Sequence, residues 1–353
     1  MTKHPLAGLA ATAALAVLAV APGACAAPLA SPAATVAATE QTSPEMSDLL
    51  AYVQNHASTG FVVIQDGKVL IDKTWPAPTD AGMFSAFLYG RAADGELLED
   101  VASQQKSFVS ILVAVAIDKG LLDINKPVDA YLGQGWSKAS PEQEAAIKVI
   151  DVLNMSSGLN EQFGYVAPSE TVFFYNTPVY AITKAIVAAA AHQPLETLTR
   201  DWLTGPTGMT NTEWRQRPAA LASVGNATGL VTTPHDVAKF GEMVLHDGVA
   251  ADGTRVVSSE QLHALFSRAA TNPAYGRLWW LNGGEYTMRA AGARRDGQLI
   301  PAAPTDLVGA LGAFDRRLYV VPSRKLVVVR TGAATNETDF DQQLWLRLMK
   351  VIG

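Results

Sequence analysis

A serine and a lysine three residues apart are the strongest chemical signal in this sequence. Ser103 and Lys106 form its only Ser-x-x-Lys motif, and apolar residues recur at three- and four-residue steps from Phe108 to Val115. This spacing predicts a helix that ends near Gly120. Because residues three apart share one face of a helix, we expect Ser103 in the first turn with the Lys106 amine above it.

The motif fits acyl transfer by a serine nucleophile. Free N–H groups at the start of a helix stabilise negative charge, and a lysine among apolar side chains can lose its proton near neutral pH. A serine activated by a neutral lysine can attack a carbonyl carbon. The alternative is a helix-capping serine followed by a solvated lysine, and the motif alone does not exclude it.

Two later segments contain candidate partners for this serine. Tyr175 precedes a predicted helix, Val179–Ala191, and a tyrosine near a lysine can ionise more easily and share proton transfer. Gly312 would let the backbone approach a bound acyl group, so that the N–H groups of Ser103 and Ala313 form an oxyanion hole. The alternatives are a packed aromatic side chain and an ordinary glycine in a strand or bulge.

Strands at both ends of the chain, with helices between them, are expected to position these residues. The sequence indicates a hairpin near the start, mainly helices over residues 100–270, and two strands and a helix at the end. The predicted terminal elements are Phe61–Ile64, Val69–Trp75, Arg317–Val321, Lys325–Arg330 and Phe340–Val351. The predicted fold class is α+β, with one domain over 48–353. Its sheet comes from about 48–90 and 275–353, and its helical region spans about 91–274.

The composition argues against several classes of function. The chain has 353 residues, is 48% hydrophobic and has a net charge of -6. This is ordinary globular composition, and the lack of a dense Lys/Arg patch argues against a nucleic-acid partner. The sequence has no cluster of His and Cys with metal-ligand spacing and no glycine-rich phosphate loop. We therefore expect no cofactor and a small-molecule ester, amide or peptide as substrate.

The first residues resemble a bacterial export signal. Lys3 precedes an apolar run from Leu6 to Val20, and Ala24-Cys25-Ala26 matches a small-x-small cleavage site. We expect 1–26 to be removed, 27–47 to be a disordered linker rich in Ala, Pro, Thr and Ser, and the mature protein to be periplasmic or secreted. No stable membrane insertion is expected after removal. The alternative is a lipoprotein anchored through Cys25.

The order of these motifs resembles the serine β-lactamase-related superfamily. This group includes class C β-lactamases, penicillin-binding peptidases, related esterases and 6-aminohexanoate-dimer hydrolases. The similar segments, in order, are Gly60–Trp75, Ser103–Trp136, Met155–Leu159, Gly229–Gly241, Tyr275–Asn282 and Leu318–Gly332. The resemblance implies a mostly antiparallel sheet flanked by helices, with an inserted helical region.

The resemblance also implies residue roles. Ser103 would be the acylated nucleophile, Lys106 its general base and Tyr175 a second proton carrier. The backbone N–H groups of Ser103 and Ala313 would form the oxyanion hole. The expected substrate-binding residues are Thr177, Gly312 and Trp280. Alternation along a strand would point Trp279 and Trp280 to opposite faces, with one of them in the core.

Two departures from the family pattern bear on the substrate. Thr177 replaces the Asn of class C β-lactamases, and Ala310 replaces a Lys or His that helps to hold a substrate carboxylate. A lost charge-assisted hydrogen bond costs about 1.5–3 kcal/mol. Arg316 and Arg317 lie nearby in sequence and could restore the charge. We expect an esterase or amidase; the alternatives are a β-lactamase or D-alanyl carboxypeptidase, and a non-hydrolytic penicillin-binding-type sensor.

Overall fold

The computed structural model describes residues 43–290, 292–335 and 337–353. The expected export signal, 1–26, and the expected linker as far as residue 42 lie outside the described residues. A helix, Pro44–Asn55, begins within the expected linker and continues into the segment from residue 48 that was expected to be sheet. The Ser43 hydroxyl accepts a hydrogen bond from the Met46 N–H, and Pro44 occupies the first helical turn, so local capping starts this helix.

Strands and helices alternate in blocks along the described chain. The strands are β1 (Ser58–Gln65), β2 (Lys68–Thr74), β3 (Leu88–Arg91), β4 (Leu97–Asp100), β5 (Glu213–Gln216), β6 (Thr228–Thr232), β7 (Tyr275–Gly276), β8 (Trp279–Leu281), β9 (Tyr286–Met288), β10 (Arg294–Asp296), β11 (Val308–Gly312), β12 (Arg316–Val321) and β13 (Leu326–Gly332). The helices are α1 (Pro44–Asn55), α2 (Gln105–Asp118), α3 (Asp129–Leu132), α4 (Pro141–Ala145), α5 (Val149–Leu153), α6 (Thr177–Ala191), α7 (Leu195–Thr199), α8 (Gly205–Thr207), α9 (Ala219–Ala222), α10 (Pro234–Leu245), α11 (Ser259–Leu265) and α12 (Phe340–Ile352).

The main sheet joins the two ends of the described chain. Its seven strands have the order β2-β1-β13-β12-β11-β8-β7, and each pair of neighbours is antiparallel. The hairpin turn at Asp66-Gly67 and the pairing of β1 with β13 agree with the expected sheet from both termini. Antiparallel strands can be covered on both faces by helices, which is the arrangement seen here.

Alternating side chains of the main sheet point to opposite faces and belong to two separate hydrophobic cores. Phe61 and Val63 of β1 pack with α1 and α12, where Trp345 is fully buried. Val62 and Ile64 of the same strand point to the opposite face and join the larger core, which contains α2 and α10. The Phe108 and Phe240 rings stack there with centroids 3.8 Å apart, which fixes α2 against α10.

A second sheet lies largely inside the region that the sequence predicted to be helical, since β4, β5 and β6 fall within 91–274 and only β3 begins before it. Its four strands have the order β3-β4-β6-β5. Each strand has only four or five residues, so alternation over such short segments gives little signal for prediction. This small sheet matters for function because β4 leads directly into Ser103. Within the described residues, no helix is both long and apolar enough to cross a membrane.

Candidate active site

Ser103 lies in a tight turn between β4 and α2. The turn, Ala102–Gln104, is a 3-10 helix, and α2 begins immediately after it at Gln105. Ala102 has a φ of 51°, a left-handed conformation that is uncommon for residues other than glycine. The Ala102 N–H donates to Asp100 Oδ1 at 2.7 Å, which holds this strained backbone in place. The turn thus positions Ser103 at the start of a long buried helix.

Lys106 is buried one turn further along, beside the serine. Its Nζ lies 3.0 Å from Ser103 Oγ and 3.4 Å from Thr177 Oγ1. Burial lowers the pKa of Lys106 well below its usual value, and the positive charges of Arg217 and Lys184 lower it further. An uncharged amine at this distance can accept the Ser103 proton, which is the property that a general base needs.

Tyr175 lies close to both the Lys106 amine and the Ser103 hydroxyl. Lys106 Nζ is 4.8 Å from the centroid of the Tyr175 ring. Burial raises the pKa of Tyr175 to about 12, although the Ser103 hydroxyl acts in the opposite direction by hydrogen bonding. The sequence-based expectation of a more easily ionised tyrosine is therefore wrong. The phenol keeps its proton at neutral pH and suits the role of a proton donor.

A cavity of about 200 Å³ opens beside these side chains. Ser103, Lys106, Thr177 and Ala313 are among its lining residues, so four of the predicted site residues share it. The others are Phe87, Ala102, Gln105, Arg217, Ala220, Leu221, Val224 and Asn226. Asn176 caps α6 through its side chain and so fixes the position of Thr177. The cavity has an apolar wall and a few polar groups, as small-molecule sites usually do.

Gly312 packs against the serine turn rather than lining the cavity. A Cβ atom at this position would lie 2.5 Å from the Val101 carbonyl oxygen and 3.3 Å from Gln104 Cγ. Gln104 Nε2 also donates to the carbonyl oxygen of Ala310 at 3.2 Å. The glycine therefore lets β11 approach the backbone around Ser103. Gly312 is not among the residues that line the cavity, and its expected contact with a bound acyl group stays a prediction.

Trp280 also lies outside the residues that line the cavity. Its ring stacks on the Tyr175 ring with centroids 5.7 Å apart, so Trp280 packs against Tyr175 and helps to fix the position of its ring. Trp279 is fully buried and donates from its indole nitrogen to Ser110 Oγ at 3.1 Å. The two tryptophans thus face different surroundings, and Trp280 acts on the site through Tyr175 instead of forming a wall.

The nearby arginines do not replace the missing cation at Ala310. Ala310 itself is buried. Arg316 is paired with Glu99 at 3.2 Å, and Arg317 is paired with Asp341 at 2.7 Å. Neither arginine lines the cavity. A substrate carboxylate would therefore not meet either of these guanidinium groups.

A cluster of buried charges beside the cavity, which Arg217 lines, was not predicted from the sequence. Arg217 forms two hydrogen bonds to the Asp100 carboxylate, at 2.7 and 2.8 Å. Lys184 lies on α6, and burial followed by the charge of Arg217 lowers its pKa to about 7, with Asp100 acting in the opposite direction. A lysine within the Ala-rich apolar pattern of Val179–Ala191 was the available signal. The partners of these charges lie on distant segments, so sequence spacing could not identify them.

We expect Arg217→Met to lower the free energy of unfolding by about 3–5 kcal/mol, because Asp100 would remain buried without its partner. The two side chains are 5% and 0% exposed. The matched control is Arg215→Met, which removes an ion pair with Glu213 whose side chains are 51% and 56% exposed. That loss should stay below about 1 kcal/mol. Urea unfolding of both variants measures the difference, and equal losses would contradict the structural role of Asp100–Arg217.

Within the described residues, no group of three or more His, Cys, Asp or Glu side chains is placed to hold a metal ion. Ser103 could supply an oxygen and Lys106 a base within the cavity. Tyr175 is not among the residues that line the cavity, but its ring lies beside the Lys106 amine, where the phenol could supply an acid.

Comparison with known proteins identifies the family. A family model described as Beta-lactamase matches residues 44–350. Penicillin-binding protein 4 of Amycolatopsis lactamdurans is 26% identical over a region covering 44% of this chain and 53% of that protein. The match thus spans about half the length of this curated relative.

Solved structures share the fold. A candidate β-lactamase from Bacteroides dorei has a TM-score of 0.68 at 15% identity, with 88% of this chain and 99% of that chain covered. A family VIII carboxylesterase has a TM-score of 0.63 at 13% identity, with 88% and 97% covered. These similarities confirm the predicted α+β fold of the β-lactamase and transpeptidase type. From the family match over 44–350, the chain belongs to the beta-lactamase family, as its motifs indicated.

Proposed function

We propose that this protein hydrolyses esters or amides through an acyl-enzyme on Ser103. The observation that carries the proposal is the 3.0 Å distance between Lys106 Nζ and Ser103 Oγ, with the amine buried and its pKa lowered. A serine cap beside a solvated lysine would have neither feature. The open cavity beside Ser103 gives a small substrate access to the hydroxyl.

The reaction follows from the roles of the three side chains. Lys106 takes the hydroxyl proton as Ser103 Oγ forms a bond to the substrate carbonyl carbon, and the N–H groups of Ser103 and Ala313 stabilise the oxyanion. Tyr175 then gives its proton to the leaving oxygen or nitrogen as that bond breaks, and Lys106 returns a proton to Tyr175. Water attacks the acyl-enzyme, its proton is taken by the same groups, and Ser103 regains its hydroxyl.

An uncharged ester or amide fits better than a substrate held by its carboxylate. Ala310 supplies no charge, and the guanidinium groups of Arg316 and Arg317 are bound to carboxylates elsewhere. Arg217 lines the cavity, but its charge is already balanced by Asp100. The fold shared with a family VIII carboxylesterase is compatible with this preference.

Export belongs to the same proposal and is supported by the sequence pattern of 1–26. N-terminal sequencing of protein recovered from the medium or periplasm of an expressing bacterium would identify the cleavage site. Cleavage after Ala26 supports a secreted enzyme. Recovery of a lipid-modified Cys25 as the first residue supports the anchored alternative, and an intact N-terminus on exported protein contradicts both.

The proposed activity is tested by intact-mass analysis with a fluorophosphonate probe, together with turnover of three substrates. We expect one adduct, located on Ser103, and faster turnover of p-nitrophenyl butyrate than of nitrocefin or a D-Ala-D-Ala peptide. Faster cleavage of nitrocefin or the peptide would favour the β-lactamase or peptidase alternative. Adduct formation without turnover of any substrate would favour a sensor, and absence of any adduct would contradict the proposal.

A further inference from the structure

Asn226 is a polar residue of the Ser103 cavity that the proposed mechanism does not use. It lies just before β6, is 2% exposed and lines the same cavity as Ser103 and Thr177. Its side chain accepts a hydrogen bond from Lys184 Nζ at Oδ1, with a distance of 2.5 Å. A buried asparagine in a catalytic cavity has a second polar atom, the amide nitrogen, whose direction decides what it can recognise.

Lys184 fixes the orientation of the Asn226 amide. The amine lies within hydrogen-bonding distance of four oxygens: Asn226 Oδ1, the Thr228 carbonyl at 3.0 Å, Thr228 Oγ1 at 2.8 Å and, at the longest distance, Gln105 Oε1 at 3.5 Å. Asn226 presents its oxygen to Lys184. The charged form of the amine can only donate, so it favours this orientation, in which the NH2 group is turned away. Arg217 Nη1 also donates to the Asn226 carbonyl oxygen at 3.3 Å, so its backbone is held as well.

The NH2 group of Asn226 retains access to the cavity. Among the described residues, Asn226 Nδ2 has no hydrogen-bond acceptor, and it is absent from the fully enclosed polar atoms that lack a partner. An atom without a partner that is not fully enclosed must have some accessible surface. Asn226 lines the cavity beside Ser103, so we infer that this surface of Nδ2 faces the cavity. A rigid, unused donor beside a nucleophile is suited to binding an acceptor oxygen of the substrate.

We propose that Asn226 is a specificity residue that donates a hydrogen bond to a neutral acceptor oxygen of the substrate, with Lys184 as its positioning residue. This rests on the proposed hydrolysis at Ser103. The substrate class is an ester or amide that contains a second carbonyl group, such as an acylamino group near the scissile carbonyl. Arg217 is held by Asp100 and adds no free charge, so the site favours an uncharged carbonyl over a carboxylate.

The test compares two ethyl esters that differ in this carbonyl. Ethyl N-acetylglycinate and ethyl pentanoate have acyl chains of equal length, and titration of the released acid measures kcat/KM for each. We expect Asn226→Ala to lower the ratio of kcat/KM for the acetylglycinate to that for the pentanoate by about tenfold. Asn226→Asp keeps the size of the side chain and the contact with Lys184 but replaces the donor by an acceptor. It should lower the ratio at least as much, and it guards against misfolding of the alanine variant.

The matched control is Asn125→Ala, which removes an exposed asparagine outside the cavity and should leave the ratio unchanged. Lys184→Met should lower the ratio as well, because the amide could then rotate. A ratio within twofold of the wild type in both Asn226 variants would overturn the inference. If the wild type hydrolyses neither ester and forms no adduct on Ser103, the proposed hydrolysis itself is wrong.

Discussion

Ser103→Ala is expected to lower kcat/KM for ester hydrolysis by at least about a thousandfold and to abolish labelling by a fluorophosphonate. The reason is covalent: in the proposed mechanism, Ser103 Oγ is the atom that bonds to the substrate. The variant should fold, because removing one oxygen at the edge of a cavity creates no large void. Steady-state turnover and intact mass measure the two effects.

The matched control is Ser107→Ala, one helical turn further along α2. The Ser107 hydroxyl is buried and donates to the Leu278 carbonyl oxygen at 2.9 Å, so its loss should cost about 1–3 kcal/mol of stability. Labelling of Ser103 should persist in this variant. If Ser103→Ala were still labelled and active, the nucleophile would be a different residue and the proposed mechanism would be wrong.

The contact between Ser103 and Lys106 could be predicted because it is local. A three-residue spacing at the start of a helix brings two side chains together whatever the rest of the chain does. The main sheet was predictable for a similar reason, since the hairpin of β1 and β2 and the pair of β12 and β13 are each joined by a short turn. Tyr175 required the family resemblance, because about 70 residues separate it from Lys106.

The buried charges beside the cavity could not be predicted because the contacts between them join residues that are far apart in the sequence. Asp100 and Arg217 are separated by 117 positions and meet only because β4 and β5 both pair with β6. Charged residues are also expected on the surface unless a partner is known. Gly229 is part of the same arrangement: a Cβ atom there would lie 1.9 Å from Asp100 Oδ2. From the sequence alone, neither the ion pair nor the reason for this glycine could be identified.

The same buried charges explain why the pKa of Tyr175 is raised, whereas the sequence predicted that it would be lowered. A tyrosine ionises more easily beside a charged lysine, but burial and two neighbouring cations disfavour charge on Lys106. A neutral amine gives no such help, and burial then raises the pKa of Tyr175. Burial thus favours the uncharged form of both side chains, an amine that can accept a proton beside a phenol that can donate one, and acylation needs such a pair.

Lys106→Met is expected to lower kcat/KM by about 10²–10⁴-fold, the usual loss for removal of a positioned general base. It should also raise the free energy of unfolding at pH 7 by about 1 kcal/mol. The unfolded chain carries the charged amine, whereas burial disfavours that charge in the folded protein. The methionine side chain fills a similar volume without this cost.

The sign of the pH dependence separates this explanation from a simple packing effect. The folded pKa of Lys106 lies below the unfolded value, so between the two the unfolded state binds more protons and the stability of the wild type rises with pH. The free-energy cost of burying the charged Lys106 amine is fully present below the pKa of the folded state. This cost vanishes as the pH rises towards the pKa of the unfolded state. The stability advantage of Lys106→Met, measured by urea unfolding, should therefore shrink from pH 7 to pH 9.5. Lys68→Met, which changes an exposed lysine on β2, should show no such trend. An advantage that is constant with pH, or a variant that retains wild-type kcat/KM, would show that Lys106 is not a neutral base.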